Sequence, residues 1–522
     1  MRFYSRLIWA LSLSLLVASL LLVPSSEATI EKTLKFSFFQ NNGGLNDKLS
    51  PIIINNNEAS AIQNVNFTLG GAVEKRTGFA SDNRANLGGS SVNGLFQFRQ
   101  KSGTDFFVQT VGNKIFKMDS FDGTWDDITG GLTIASSATV LFDFTTANDN
   151  LIATNQNNPV ITWDGSGDAA ALSGSPPQGR WVAFHQNIVF LANTSANPSR
   201  IQFSNVLDEE TWTSTDFIDV AANDGTEITG LAILLDALYI FKEESIYRLS
   251  GTNRDDFVLS RMVTDIGTVA GHSIQVINNK IIFHARDGIY LYDGGINVTK
   301  ISSKIEESLD DLVFARNKFS VSADLKSLNQ YWLSVTTGSG SKHNLILIYD
   351  YFHNAWTKYT GIEANAMAMV IDNDGKDQLY TGDASRGFFF KQNSGNSDDG
   401  AAIDAFYTTK WYRFPEIKES DKALRLIRVF AKEVGNWNLT VDSRQDFAAT
   451  TSSDTITLIG SSDIYGTGLY GTAVYGGETV IIGRIHLMLR DNFFQFEFSN
   501  ANADEPFTIF GWDIFVEAQD RI

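Results

Sequence analysis

Six histidines carry the chain's imidazole chemistry: His185, His272, His284, His343, His353 and His486. No two stand at the H-x-H or H-x-x-x-H spacing that sets two nitrogens on one metal, so each reads as a core or surface residue. The chain has no cysteine, which excludes thiolate ligands, Cys nucleophiles and disulfides. Gly466-Thr467-Gly468-Leu469-Tyr470-Gly471 spells G-x-G-x-x-G. A dinucleotide fingerprint needs a strand before it and a helix after it, whereas this stretch lies inside a Tyr-Gly repeat with no helix following. Asp372-Asn373-Asp374-Gly375-Lys376-Asp377 has the acids of a calcium loop. The EF-hand order places glycine sixth and a glutamate twelfth, but here Gly375 is fourth and Asp383 twelfth, so the stretch reads as a hairpin turn. Asp208-Glu209-Glu210 and Glu243-Glu244 are the residue types that glycosidases pair, and also what any solvated turn carries. We assign no catalytic residue, metal site or cofactor, and expect a non-enzymatic protein.

The elements that hold these residues are more informative. From Glu227 to Gly295 one grammar occurs twice: an apolar run, a short polar turn, a second apolar run with a tyrosine, then glycine. Leu238-Tyr239-Ile240-Phe241 turns at Lys242-Glu243-Glu244-Ser245 and returns as Ile246-Tyr247-Arg248-Leu249. Ile281-Ile282-Phe283 turns at Arg286-Asp287-Gly288 and returns as Ile289-Tyr290-Leu291-Tyr292. Short runs of β-branched and aromatic residues around such turns predict β-hairpins. The grammar recurs from Leu95 to near Gly395 in about seven units of about 43 residues, the period of a propeller blade. The expected fold is all-β: a β-propeller of about seven blades, within a range of six to eight, because a small sheet buries both faces only by stacking on its neighbours.

The 522 residues exceed one hydrophobic core. Residues 1–28 read as a secretory signal or membrane segment: Arg2 and Arg6, an apolar run over 7–23, then small residues at Ser26 and Ala28. Residues 29–90 read as an extended N-terminal docking segment without repeat grammar, with one or two helical turns over Glu58–Asn64. The propeller takes 91–398, including a helical insertion over Lys304–Asn317. Residues 399–522 read as a β-sandwich platform, whose strands alternate apolar and polar residues. A Tyr-Gly loop inside it carries Tyr465, Tyr470 and Tyr475, which with Lys242, Glu243, Glu244, Arg286 and Asp287 form the expected contact surfaces. The net charge of −19 argues against a surface built to grip nucleic acid.

Certain motifs in their order resemble those of the β-propeller structural proteins of short-tailed bacteriophage tails, the nozzle or tail-tube proteins. They are Gly44-Leu45-Asn46 through Lys75-Arg76-Thr77-Gly78-Phe79, Arg180-Trp181-Val182-Ala183-Phe184, Asn197-Pro198-Ser199-Arg200-Ile201, Ile246-Tyr247-Arg248-Leu249-Ser250-Gly251, Arg286-Asp287-Gly288-Ile289-Tyr290 and Tyr292-Asp293-Gly294-Gly295. The resemblance implies a homo-oligomeric ring around a DNA channel in the virion tail. Its partners would be other tail or adaptor proteins, DNA passing through without specific binding, and the host cell surface. The signal-like start departs from that pattern and carries the alternative: a secreted or periplasmic propeller that binds surface glycans or proteins.

Overall fold

The computed structural model describes residues 33–81, 90–119, 123–135, 137–417, 421–450, 452–459 and 480–519. Seven four-stranded antiparallel sheets follow one another along the chain. Their inner strands are Val92–Arg99, Asp143–Ala147, Gly179–His185, Ile228–Leu234, Gln275–Ile277, Val321–Leu325 and Ala364–Ile371; we number the blades 1 to 7 in that order. The turns follow the sequence. Asn148-Asp149, Gln186-Asn187, Leu235-Asp236 and Asn278-Asn279 all adopt positive φ at both positions, as two-residue hairpins between right-twisted strands require. In blade 4, Phe241 pairs with Ile246, and in blade 5, Ala285 pairs with Gly288, the two turns read from the sequence.

The ring closes through packing. One buried apolar cluster lies between each pair of neighbouring blades. Trp163 of blade 2 lies 4.8 Å from Phe106 of blade 1, and Tyr239 of blade 4 lies 5.7 Å from Tyr292 of blade 5. Phe107 of blade 1 meets Tyr380 of blade 7 at 5.2 Å, completing the circle. Each aromatic side chain buried in this way contributes about 2–3 kcal/mol. Middle strands such as Ala237–Lys242 and Leu345–Asp350 are buried at every position, because both of their faces meet a neighbouring blade.

The N-terminal segment is not a separate docking piece. Phe79–Ser81 supplies the outer strand of blade 7, pairing with Phe389–Gln392, so the start of the chain closes the ring. Strands within residues 33–75 help build the platform. That platform is a two-sheet sandwich. One sheet runs Val480–Asp491, Asp421–Lys432, Thr508–Gln519, Val73–Lys75, Val65–Phe67, with Thr33–Phe39 also alongside Thr508–Gln519. The other runs Ser452–Thr457, Asn438–Gln445, Phe494–Asn500, Ala405–Thr408, Ala61–Gln63. The turns expected over Glu58–Asn64 are instead extended: Glu58–Ala59 pairs in parallel with Gly44–Leu45, and Ala61–Gln63 pairs with Ala405–Thr408 of the C-terminal part. The expected helix over Lys304–Asn317 is also corrected. It forms one α-turn at Glu306–Asp310 and a 3-10 stretch at Phe314–Phe319, because Leu312 and Val313 leave the helix to bond Thr337 and Thr336 of blade 6.

Platform and propeller share one apolar cluster, in which Tyr331, Leu333 and Trp356 of blade 6 join Leu45, Val65, Ile427 and Trp512. Backbone bonds cross the seam: the Asn64 N–H donates to Lys358 O at 2.8 Å, and the Thr357 hydroxyl donates to Val65 O at 2.9 Å. Gly44, at φ +75°, lies so close to blade 6 that a Cβ would sit 2.6 Å from the Trp356 nitrogen.

Candidate functional site

The central channel and the contact turns of blades 4 and 5 are where the fold places the polar residues read from the sequence. Inner strands line a channel cavity of about 550 Å³ with Asn93, Gln97, Asp143, His272, Gln275 and Met367 among its walls. A cavity of that size holds water or a small molecule, not a nucleic acid duplex. Its polar groups tie blades together. Gln97 donates to Ile371 O at 2.8 Å and accepts from its N–H at 2.9 Å, joining blades 1 and 7. Asn365 donates to Val92 O at 2.9 Å across the same seam. Gln275 donates to Ser322 O at 3.1 Å between blades 5 and 6. Asp143 accepts from the Val182 N–H at 2.8 Å between blades 2 and 3.

Electrostatics follow from enclosure. Burial pushes Asp143 up to about 7, against the pull of its backbone donors and of Arg180. Burial, and then the Arg180 charge, push His272 down to about 3, so its imidazole stays neutral and is a weak base. Arg180 lies over the Trp181 ring at 5.0 Å, 3.7 Å from Glu227, and Trp181 meets His272 at 4.9 Å. His343 and His284 are also structural. His343 Nε2 donates to Phe319 O at 2.9 Å, and burial depresses His284 to about 4. Among the described residues no three His, Asp or Glu side chains gather as metal ligands. Asp372 accepts from the N–H groups of Asp374 and Lys376 at 3.0 and 2.9 Å, the hairpin turn read from the sequence.

The contact turns divide. Lys242 is not a contact residue: its side chain is 0% exposed. Its ammonium donates to Asp224 at 2.6 Å, Val220 O at 3.0 Å, Ala221 O at 3.2 Å and Ser199 at 3.3 Å. A buried cation persists only with such partners, and these tie blade 4 to blade 3. Glu244 and Arg286 are exposed and face each other at 3.6 Å across blades 4 and 5. Arg286 also lies 5.4 Å over Phe314. Asp287 accepts from the Tyr290 hydroxyl at 2.8 Å, and Glu243 is half-buried. Tyr465, Tyr470 and Tyr475 lie outside the described residues, as do residues 1–28.

Lys75-Arg76 belongs to the motifs named above, but beyond this adjacency nothing in the sequence marks the buried polar cluster that these residues form. Arg76, 2% exposed, forms a bidentate pair with Asp398 at 2.7 and 2.6 Å. It also donates to Asn64 and to Thr360 O, both at 2.9 Å. It thus joins the platform, blade 6 and the closing strand of blade 7. Beside it Lys75, which burial lowers to about 8, donates to Asn500 and Asn502 O at 2.8 and 2.7 Å. Two consecutive basic residues before Thr77-Gly78 were the only signal.

No family model and no curated protein matches the chain. Similar solved structures include a chain of the mitotic checkpoint complex, at 9% identity and a TM-score of 0.38 over 60% of this chain and 94% of that one. YCF48 from Cyanidioschyzon merolae is similar at 12% identity and a TM-score of 0.39, over 60% and 98%. The Pan2 WD40 domain of Neurospora crassa follows at 8% and 0.36, over 62% and 96%. The blade count rests on strand pairing in this chain, which is a seven-bladed all-β propeller with a sandwich platform woven from strands within residues 33–75 and 405–519.

Proposed function

We propose that this protein is a non-enzymatic structural subunit of a phage tail, of the nozzle or tail-tube kind, assembled as a ring around a DNA path. One observation carries the reading: propeller and platform are interlaced. The chain enters through platform strands, closes the propeller with Phe79–Ser81, and returns to the platform after blade 7. Neither module is continuous in sequence: the propeller takes its closing strand Phe79–Ser81 from ahead of blade 1, and the platform takes strands from both sides of the propeller, which suits a part that bears load. Gln97, Asn365, Gln275 and Asp143 of the channel wall are committed to inter-blade ties, so a DNA path is supplied by a ring of copies, and the acidic balance keeps phosphate from sticking to its wall. Electron microscopy of the purified full chain tests this: closed rings with a lumen support it, and a monodisperse monomer recovered from culture medium counts against it. The signal-like residues 1–28 favour a second reading, a secreted module for surface glycans or proteins. Binding on a glycan array, with no rings, would select it.

A further inference from the structure

The outer face of the platform's six-stranded sheet differs in charge from the rest of the molecule. Along its edge strand Val480–Asp491, Gly483, Ile485, Leu487 and Leu489 face the core, while Ile482, Arg484, His486, Met488 and Arg490 face outward. Met488 is 89% exposed and Ile482 49%. Phe39 extends the apolar part across the sheet, 5.4 Å from Phe430. Two acids of this face are already engaged: Asp513 by Lys35 at 3.0 Å and Arg428 at 3.7 Å, Glu517 by Arg425 at 2.7 Å. Arg484 and Arg490 have no carboxylate partner, and no strand pairs with the outer edge of Val480–Asp491, among the described residues. The result is a basic, apolar face in a chain of net charge −19.

Its complement lies on the propeller. Antiparallel strands bring the first and third turns of every blade out on one side. In blades 3 to 5 that side presents Glu210, Asp236, Asp255 and Asp293, all exposed. Between them stand bare apolar side chains, Leu207 at 67%, Leu235 at 64% and Ile296 at 75% exposure. Arg254, the basic residue among these turns, is paired with Asp216 at 2.5 Å. Exposed apolar groups rimmed by one sign of charge mark interaction surfaces.

We propose that the outer sheet face of one copy docks on this loop side of blades 3 to 5 in a second copy. The contact is heterologous and repeats head to tail, so it closes into a ring when its rotation allows. The proposal rests on the ring reading and names its joint. Sedimentation velocity of the full chain tests it with two variants, Arg484→Glu/Arg490→Glu and Glu210→Lys/Asp255→Lys. All four residues are exposed, so both variants should keep the wild-type melting temperature. Each alone should assemble about tenfold more weakly or worse, and an equal mixture should restore the oligomer, because each reversed face then meets its reversed complement. An oligomer indifferent to both reversals overturns this joint and leaves the ring reading standing. A wild-type chain that stays monomeric at every concentration removes both. If the arginine reversal abolishes only binding to phosphatidylglycerol vesicles, the face belongs to an anionic lipid surface and the joint is wrong.

Discussion

Arg76 shows how much rests on single side chains. Its guanidinium is enclosed where platform, blade 6 and closing strand meet, and Asp398 faces it in bidentate geometry. Removing one partner leaves the other charge buried and unpaired, so Arg76→Ala should lower unfolding free energy by about 3–5 kcal/mol. Guanidinium denaturation reads this directly, and pairing Arg76→Ala with Asp398→Ala should cost less than the sum of the two. Asp143 predicts a pH dependence. Its folded value, about 7, lies above the ordinary carboxylate range, so the folded state holds the proton more tightly than the unfolded one. Its contribution to stability therefore falls as pH rises from about 4 to about 7. His272 and His284, depressed to about 3 and about 4, act oppositely: their contribution is lost as pH falls below about 6.5. Asp143→Asn should thus gain stability over the wild type as pH rises from 4 to 7.5. A constant difference across that range would show that Asp143 does not titrate there. Lys242 was misread as a surface contact because a strand-end lysine looks the same in sequence whether its tip meets water or, as here, three carbonyl and carboxylate oxygens of the next blade.

At the scale of elements the hairpins were legible and their neighbours were not. Blades 4 and 5 announce themselves because their apolar runs are long, their turns chemically distinct and their partners adjacent in sequence. The closing strand Phe79–Ser81 spans three residues, too few for a period-two pattern, and its partner lies beyond all the other blades. The same holds for Val65–Phe67 and Val73–Lys75 in the platform, where Lys75 bonds Asn500 across 425 positions. Gly78 makes the closing strand testable. A Cβ there would lie 1.9 Å from the Ser397 carbonyl oxygen, and that neighbour is backbone, which yields poorly. Gly78→Val should therefore loosen the seal of blade 7, costing about 1–3 kcal/mol or more. Limited proteolysis near residues 77–81 should become faster than in the wild type, and unchanged cleavage together with unchanged stability would contradict this account of the closure.

For the whole molecule, the distinguishing feature is that strands on either side of the propeller, within residues 33–75 and 405–519, build one platform. Residues 405–519 alone lack the paired strands Thr33–Phe39, Ala61–Gln63, Val65–Phe67 and Val73–Lys75. That fragment should show no cooperative thermal transition by circular dichroism, whereas joining residues 33–76 to it through a flexible linker should restore one. A cooperative melt of the fragment alone would show that the N-terminal strands are accessory. The all-β class and the propeller could be read from the sequence because blades are local. The interlacing could not, because it is written in pairings between residues hundreds of positions apart. The tail-ring reading belongs to this same scale, and it is tested most directly by finding where the native protein resides. Phage particles from a producing culture, purified by density gradient and imaged with an antibody to this chain, should carry it as a ring at the tail. Absence from the particles, with the chain recovered as a soluble monomer from the medium, would contradict that reading.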